Sequence, residues 1–498
     1  MYVGESTYDI KGGPLDIAAV EGSHSDILAK SSELFVMTPC NRASYCVYCR
    51  RGQYLGVLTK SGKGTVTQGP TEEFENAPGL PNWESVPSDA GAATRQLKSA
   101  IRTRIEWFGR SVPEVVDELE RALKVEVAEI VDTVRSGGSA WPVIDFAEIG
   151  TGTVSVELTN LVKRRGCVVV RGTFSRQEAE GWDRDMLDYV DSNGFFQSYS
   201  GPADDFFGSL GRSRPEIYPI YWSRGQMEAR QHPHMHAVQM FLSSLWTFES
   251  DGRQWFDPSR NSLYPDRLRR RPPGTNSRGL GDHLDPGTLD MWMAEGYQRH
   301  FQHLWDGDAT RHDPWDASYR TEAAHYPGST MCSAFRTFQG WTALSDMRHD
   351  QGVLHTVPIA KAIAYLMMRP LLDDVEPEDL CDVRLNRAIP VSERWHGWLL
   401  EARAGIPDIE PGDTVWWHCD MVHSVAPVEN QQGWGNVMYI PATPWCTPNA
   451  AHASTSLRAL ELGLSASDFP AEHYERAWVG RFTINDLNET GRVSVGLE

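Results

Sequence analysis

Apolar residues recur at three- and four-residue intervals between positions 92 and 136, the spacing that gathers them on one face of an α-helix. Leu97, Ile101, Ile105 and Phe108 mark a first helix. Pro113 opens a second, whose face carries Val116, Leu119, Leu123, Val127, Ile130 and Val134 before Gly137-Gly138 ends it. Near Trp141 the pattern changes. Gly166-Cys167-Val168-Val169-Val170-Arg171-Gly172 predicts a short buried strand bounded by glycine. Ser175 to Glu178 has the form of a capping box and predicts a helix running to about Asp191. Strand-like runs follow at 334–344, 352–357, 414–418 and 435–440. Helices that lie mostly ahead of the strands do not make the rhythm of a doubly wound sheet. They predict an α+β chain, mainly β, with a jelly-roll or sandwich core decorated by helices.

Three stretches follow from this patterning. Residues 1–90 are rich in Gly, Ser, Thr and Pro with short apolar runs, and predict a weakly structured, dispensable extension, with 65–91 as linker and Met37 as an alternative start. Residues 91–140 form the helical segment, and 141–498 the main domain. Within that domain 286–326 is long for a connection and rich in Trp, His and Asp, which predicts a substrate-covering insertion.

Composition narrows the class. The 498 residues are 40% hydrophobic and 23% charged, ordinary for a globular chain able to bury a core. A net charge of -20 argues against nucleic acid as a partner, since phosphate backbones are repelled. No apolar run approaches the roughly 20 residues that span a bilayer, and the first residues lack the form of a secretory signal, so a cytoplasmic protein without a membrane partner is expected. The eight cysteines are scattered and read as free thiols; Cys46-x-x-Cys49 with nearby Cys40 lacks a fourth zinc ligand at a usual distance.

The chemistry concentrates at two places far apart in the chain. In an extended segment His283 and Asp285 point to the same side, so an imidazole and a carboxylate can reach one metal ion. His423 follows the Pro411-Gly412-Asp413 turn and an apolar strand, and a hairpin-like return would bring it to the mouth of a barrel. Two His and one carboxylate leave metal positions open, which suits non-haem Fe(II) oxygenases; zinc hydrolases use similar ligands. A second His-x-Asp, His418 to Asp420, would need His452 or His473 as a third ligand. Too few strand-like segments follow it to build a sandwich around it. His418 then reads either as a hydrogen-bonding support for the metal ligands or as a core histidine. His232-Pro233-His234-Met235-His236 lacks a local carboxylate and reads as a polar loop or helix start.

These residues carry a family resemblance. Gly166 to Gly172, His283-x-Asp285, Asp350-Gln351-Gly352, Pro411-Gly412-Asp413 and His423 together resemble the phytanoyl-CoA hydroxylase-like branch of the 2-oxoglutarate oxygenases. A closer match, over roughly residues 92 to 498, is to the YbiU-like domain-of-unknown-function family. It is carried by Asp204 to Leu210, Pro219 to Ser223, Arg271 to Gly274, Ser333 to Trp341 and Glu429 to Val437. The resemblance implies a double-stranded β-helix, a cupin-like jelly-roll core, and oxidation of a small-molecule substrate with Fe(2+), O2 and 2-oxoglutarate, releasing succinate and CO2. Asp285 argues for hydroxylation over halogenation, where a small residue leaves room for chloride. The chain departs from the phytanoyl-type pattern in having no Arg between His423 and Arg458. A dianionic co-substrate still calls for a cation, best a bidentate guanidinium. Arg336 is the nominee; Arg269 to Arg271, which otherwise read as a solvated basic turn, are the alternatives. Two other readings remain open at this point: a non-catalytic binding or sensing protein on the same fold, and a cupin-type metal-dependent hydrolase or isomerase.

Overall fold

The computed structural model describes residues 77–199, 215–323, 325–326, 332–385 and 387–497, together with the backbone of three strands near the N-terminus. The chain divides into two compact units, Met1–Gly79 and Leu80–Glu498. In the first, Phe35–Asn41, Ser44–Cys49 and Tyr54–Thr59 form an antiparallel three-stranded sheet. The remainder of the expected extension up to residue 76 lies outside the described residues, as do the side chains of Cys40, Cys46 and Cys49.

The second unit begins earlier than position 91. The Trp83 amide donates to the Met293 carbonyl at 3.1 Å, and the Tyr326 hydroxyl donates to the Trp83 carbonyl at 2.9 Å, so this stretch is tied into the unit and is no linker. Asp89 then caps the helix Ala90–Trp107. Ser111 and Glu114 form a capping box for Val112–Arg135, satisfying amides that a helix start leaves without partners. The apolar faces of both helices join one core with the helix Ala362–Met368, Trp292, Tyr297, Phe301, Trp305 and Tyr326 of the 286–326 stretch, and Leu284 and Val422. Val134, the last apolar position of the second helix, is left exposed near the helix end.

Two sheets face each other. The larger has seven strands in the order Val143–Asp145, Cys167–Arg171, Thr414–His418, Phe338–Ala343, Val437–Tyr439, Leu268–Arg269 and Ile217–Tyr218. All its pairings are antiparallel except the first. The smaller runs Ile389–Pro390, Leu280–Leu284, His423–Val425, Leu354–Thr356 and Ala404–Gly405. Alternation along the strands sorts the side chains. Val168, Val170, Trp416, Phe338, Met438 and Leu268 face the surrounding helices. Cys167, Val169, Val415, Trp417, Trp341 and Val437 face the smaller sheet and meet its Leu354. Gly340 lets the strands carry Trp416 between them, because a Cβ there would stand 2.3 Å from the Trp416 ring. Among the described residues no helix is long and apolar enough to cross a membrane.

The 286–326 insertion differs from a free lid. Trp292, Phe301 and Trp305 are buried in the core shared with the N-terminal helices. Apolar rings of that size cost too much to leave in water, so the segment folds inward as short helices, Asp290–Met293, Glu295–His300 and Gln302–Trp305.

Candidate metal centre

His283 lies on Leu280–Leu284 and His423 opens His423–Val425, neighbouring antiparallel strands in which the two residues are directly paired. Their side chains therefore emerge side by side on one face, with ring centroids 4.2 Å apart. Asp285 follows two residues after His283 and reaches both: its Oδ1 is 3.3 Å from His283 Nε2 and its Oδ2 3.6 Å from His423 Nε2. All three side chains bring a ligand atom within 4.8 Å of one another. Two ligands held at about 2.1 Å from one ion and at right angles stand roughly 3 Å apart, so the spacing fits a shared cation.

The tautomers agree with that use. His283 Nδ1 lies 2.7 Å from the Gly281 carbonyl, and His423 Nδ1 lies 3.0 Å from the Met421 carbonyl. A carbonyl only accepts, so each Nδ1 carries the proton and each Nε2 presents its lone pair to the centre. Electrostatics point the same way. Burial penalises the Asp285 charge, but His423 and His283 overcome that and hold its carboxyl far below the usual range. Burial and the neighbouring His283 hold His423 down to about 4, neutral and able to bind metal at physiological pH. His283 is desolvated too, yet Asp285 pulls its affinity for a proton above the ordinary value.

Beneath the triad, in the gap between the sheets, lie donors without acceptors. Gln339 is paired across strands with Trp417, and the Trp417 ring stands 5.4 Å from His423. Arg269 is paired with Val437 and so shares its inward face. Gln339 Nε2, Trp417 Nε1 and Arg269 Nε are all buried with no hydrogen-bond partner among the described residues. Buried donors of this kind are costly unless a ligand or water completes them. Gln339 and Trp417 were not singled out from sequence as site residues, since only the strand register reveals which residues share the gap with Arg269.

The structure separates the other candidates. Arg270 is engaged with Asp183 at 3.1 and 2.9 Å. Arg271 donates to the carbonyls of Gln351 and Gly352, at 3.1 and 2.6 Å, and lies at the end of the gap remote from the triad. Arg336 lies just ahead of Phe338–Ala343, close enough to act on Asp285 and His423, and reaches a cavity open to solvent that Pro286, the residue after Asp285, also lines. Burial lowers its affinity for a proton, but Cys332, Tyr264, Asp285 and Asp266 more than restore it. It makes no ion pair among the described residues.

His418 does not support the triad. Its Nε2 lies 3.0 Å from the Pro314 carbonyl, its Nδ1 accepts the Asp420 amide at 3.1 Å, and its ring stacks on Trp246. It is a core histidine. Asp420 is held by Arg320 at 2.8 Å, both side chains buried, so the second His-x-Asp is closed off by its own ion pair. His452 pairs with Asp468 at 3.6 Å, and His473 Nδ1 accepts the Ser465 amide. His232 caps the helix Pro233–Ser244 by accepting from the His234 amide.

The model of the Gig2-like family matches residues 89–497 of the chain. An uncharacterized protein of Escherichia coli K12, YbiU, is 53% identical over 417 residues, 83% of this chain and 98% of its own. Among solved structures, a Salmonella typhimurium LT2 protein whose name marks it provisionally as an oxidoreductase has a TM-score of 0.80 at 52% identity, covering 83% of this chain and 99% of that one. GlcNAc Inducible Gene 2 of Candida albicans has a TM-score of 0.66 at 24% identity, over 84% of this chain and 91% of the other.

Proposed function

The chain belongs to the Gig2-like family, and from that membership and the triad we propose that it is an iron(II)- and 2-oxoglutarate-dependent oxygenase hydroxylating a C–H bond of a small molecule. The two facing sheets are read as a double-stranded β-helix with the metal centre at its mouth. The observation that carries the proposal is the convergence of His283 Nε2, His423 Nε2 and the Asp285 carboxylate, with both Nδ1 atoms locked onto backbone carbonyls. When bound, Fe(II) with 2-oxoglutarate supplies activation of O2 and oxidation of the substrate, releasing succinate and CO2.

The chain's own residues do the positioning. His283, Asp285 and His423 would hold the ion on one side and leave its other positions to ligands. Gln339 and Trp417 offer N–H groups in the gap beside it, and Arg269 offers a guanidinium for the far carboxylate of 2-oxoglutarate. Arg269 thus replaces the Arg that the phytanoyl-type pattern carries after the last histidine, and is preferred to Arg336 because it faces the gap. The apolar wall of Val169, Val415 and Leu354 keeps the gap dry, which strengthens each of these contacts.

Anaerobic addition of Fe(II) and 2-oxoglutarate to the purified protein is expected to give a weak visible charge-transfer band. Asp285→Ala and His423→Ala should abolish it, with metal affinity falling by more than about a hundredfold, beyond the loss typical of an outer-shell partner. Arg269→Gln should keep the metal and weaken 2-oxoglutarate. A band that survives in Asp285→Ala, or that never forms in the parent protein, overturns the proposal.

A further inference from the structure

The cavity beside the triad contains a charge that the oxygenase reading leaves without a task. Of the basic side chains lining it, Arg320 is bound to Asp420 at 2.8 Å, and His325 Nδ1 faces Asp290 at 3.0 Å. Arg336 has no ion-pair or hydrogen-bond partner among the described residues. In a chain of net charge -20, a guanidinium that reaches a cavity without a side-chain partner is a ready counter-charge for an anion entering from solvent. The cavity adds the second half of a recognition pattern. Tyr297, Phe335, Pro286 and Pro448 give it apolar walls around that one positive group.

We propose that this cavity is the substrate site and that Arg336 clamps a carboxylate of the substrate, a small acid with an apolar or aromatic body. Calling the ligand a substrate rests on the oxygenase reading; the binding itself does not. One planar guanidinium, with no second free cation among the described lining residues, matches a carboxylate, which it can grip through two parallel N–H groups. A phosphate dianion would carry a second negative charge into the field of Asp285 and Asp266, both close enough to act on Arg336. The walls take the body of the acid, and Pro286 places it next to Asp285. Two guanidiniums then divide two carboxylates between them: Arg269 in the gap for the co-substrate, Arg336 in the cavity for the substrate.

The test is a calorimetric titration of the full-length protein with 3-methylbutyrate and 4-phenylbutyrate, each paired with its primary amide. The acids are expected to bind about tenfold or more tightly than the amides, the worth of one charge-assisted pair. Arg336→Gln should erase that preference, and Arg336→Lys should recover only part of it because the fork is lost. Affinity for 2-oxoglutarate should follow Arg269→Gln instead. Acids binding no better than amides, or neither binding, overturns the proposal, as does Arg336→Gln weakening 2-oxoglutarate while sparing the acids. If Arg336→Gln does not fold, the acid-to-amide comparison in the parent protein and Arg336→Lys still decide. Failure of the oxygenase reading would appear separately, as a missing charge-transfer band with the acid preference intact.

Discussion

His396 is packed inside the helix Glu393–Leu400, 2% exposed, with Nδ1 accepting the Ser392 amide at 3.2 Å. Burial, aided by Arg369, pushes its pKa down to about 4. The folded chain therefore refuses a proton that the unfolded chain accepts below about 6.5. The stabilisation is complete above that value and is lost as pH falls through about 4. Between pH 7 and 5 this one group should cost the folded state about 2 kcal/mol. His312 and His418, buried and held down in the same way, add to the trend. Urea denaturation at the two pH values should show a smaller drop for His396→Gln than for the parent; equal drops would remove His396 from the account. Residues of this kind are hard to read from sequence, because a buried neutral histidine and a metal-binding one are the same letter. The triad was legible for a different reason. In extended chain His283 and Asp285 point to the same side, His423 follows a turn and an apolar strand, and too few strands follow the same spacing at His418 and Asp420 to build a sandwich around it. Arg269 and Arg336 could be nominated as cations, but their roles depend on which neighbours already hold partners, which no spacing encodes.

Strand pairing sets the triad's geometry, and one glycine governs it. Gly279 precedes Leu280–Leu284 with φ +70°, a left-handed conformation that favours glycine, and a Cβ there would lie 2.0 Å from the Val425 carbonyl oxygen. The pairing between this strand and His423–Val425 is already irregular between Leu280 and His283. Gly279→Ala must push the two strands apart where their register is weakest, at a cost of about 3 kcal/mol in strain. The displacement would separate His283 from His423, so Co(II) affinity should fall together with the melting temperature. A variant that melts lower but binds Co(II) unchanged would show that the strands carry the ligands independently of this contact. Long amphipathic helices and fully buried strands were legible because their periodicity is strong: Val112–Arg135 and Thr414–His418 stand where the pattern puts them. The two-residue strands Ile217–Tyr218, Leu268–Arg269 and Ala404–Gly405 are too short to leave a period, and they form by adding to an edge that longer strands have already built.

At the scale of the whole molecule, the metal centre is held from behind by the N-terminal helices. Leu284 and Val422, each adjacent in sequence to a triad histidine, belong to the same buried cluster as Ile101, Leu119 and Leu123. The helices were read as a separate segment because their pattern is self-contained, but an amphipathic pair has no stability of its own until its apolar face is covered. Here the covering surface is the back of the strands that carry the ligands. Leu80, Trp83 and Val86 pack against the same cluster, whereas the three-stranded sheet falls in the other unit. A chain starting at Leu80 should therefore melt within a few degrees of the full-length protein and bind Fe(II) and 2-oxoglutarate with the same affinity. A chain starting at Trp141 should fail to fold, because removing both helices uncovers an apolar surface worth more than the roughly 5–15 kcal/mol that stabilises a typical domain. Differential scanning calorimetry of the two truncations decides the matter. Cooperative melting of the Trp141 chain would mean that the strands form their own closed core, and loss of melting in the Leu80 chain would mean that the first unit is part of the fold that positions the metal.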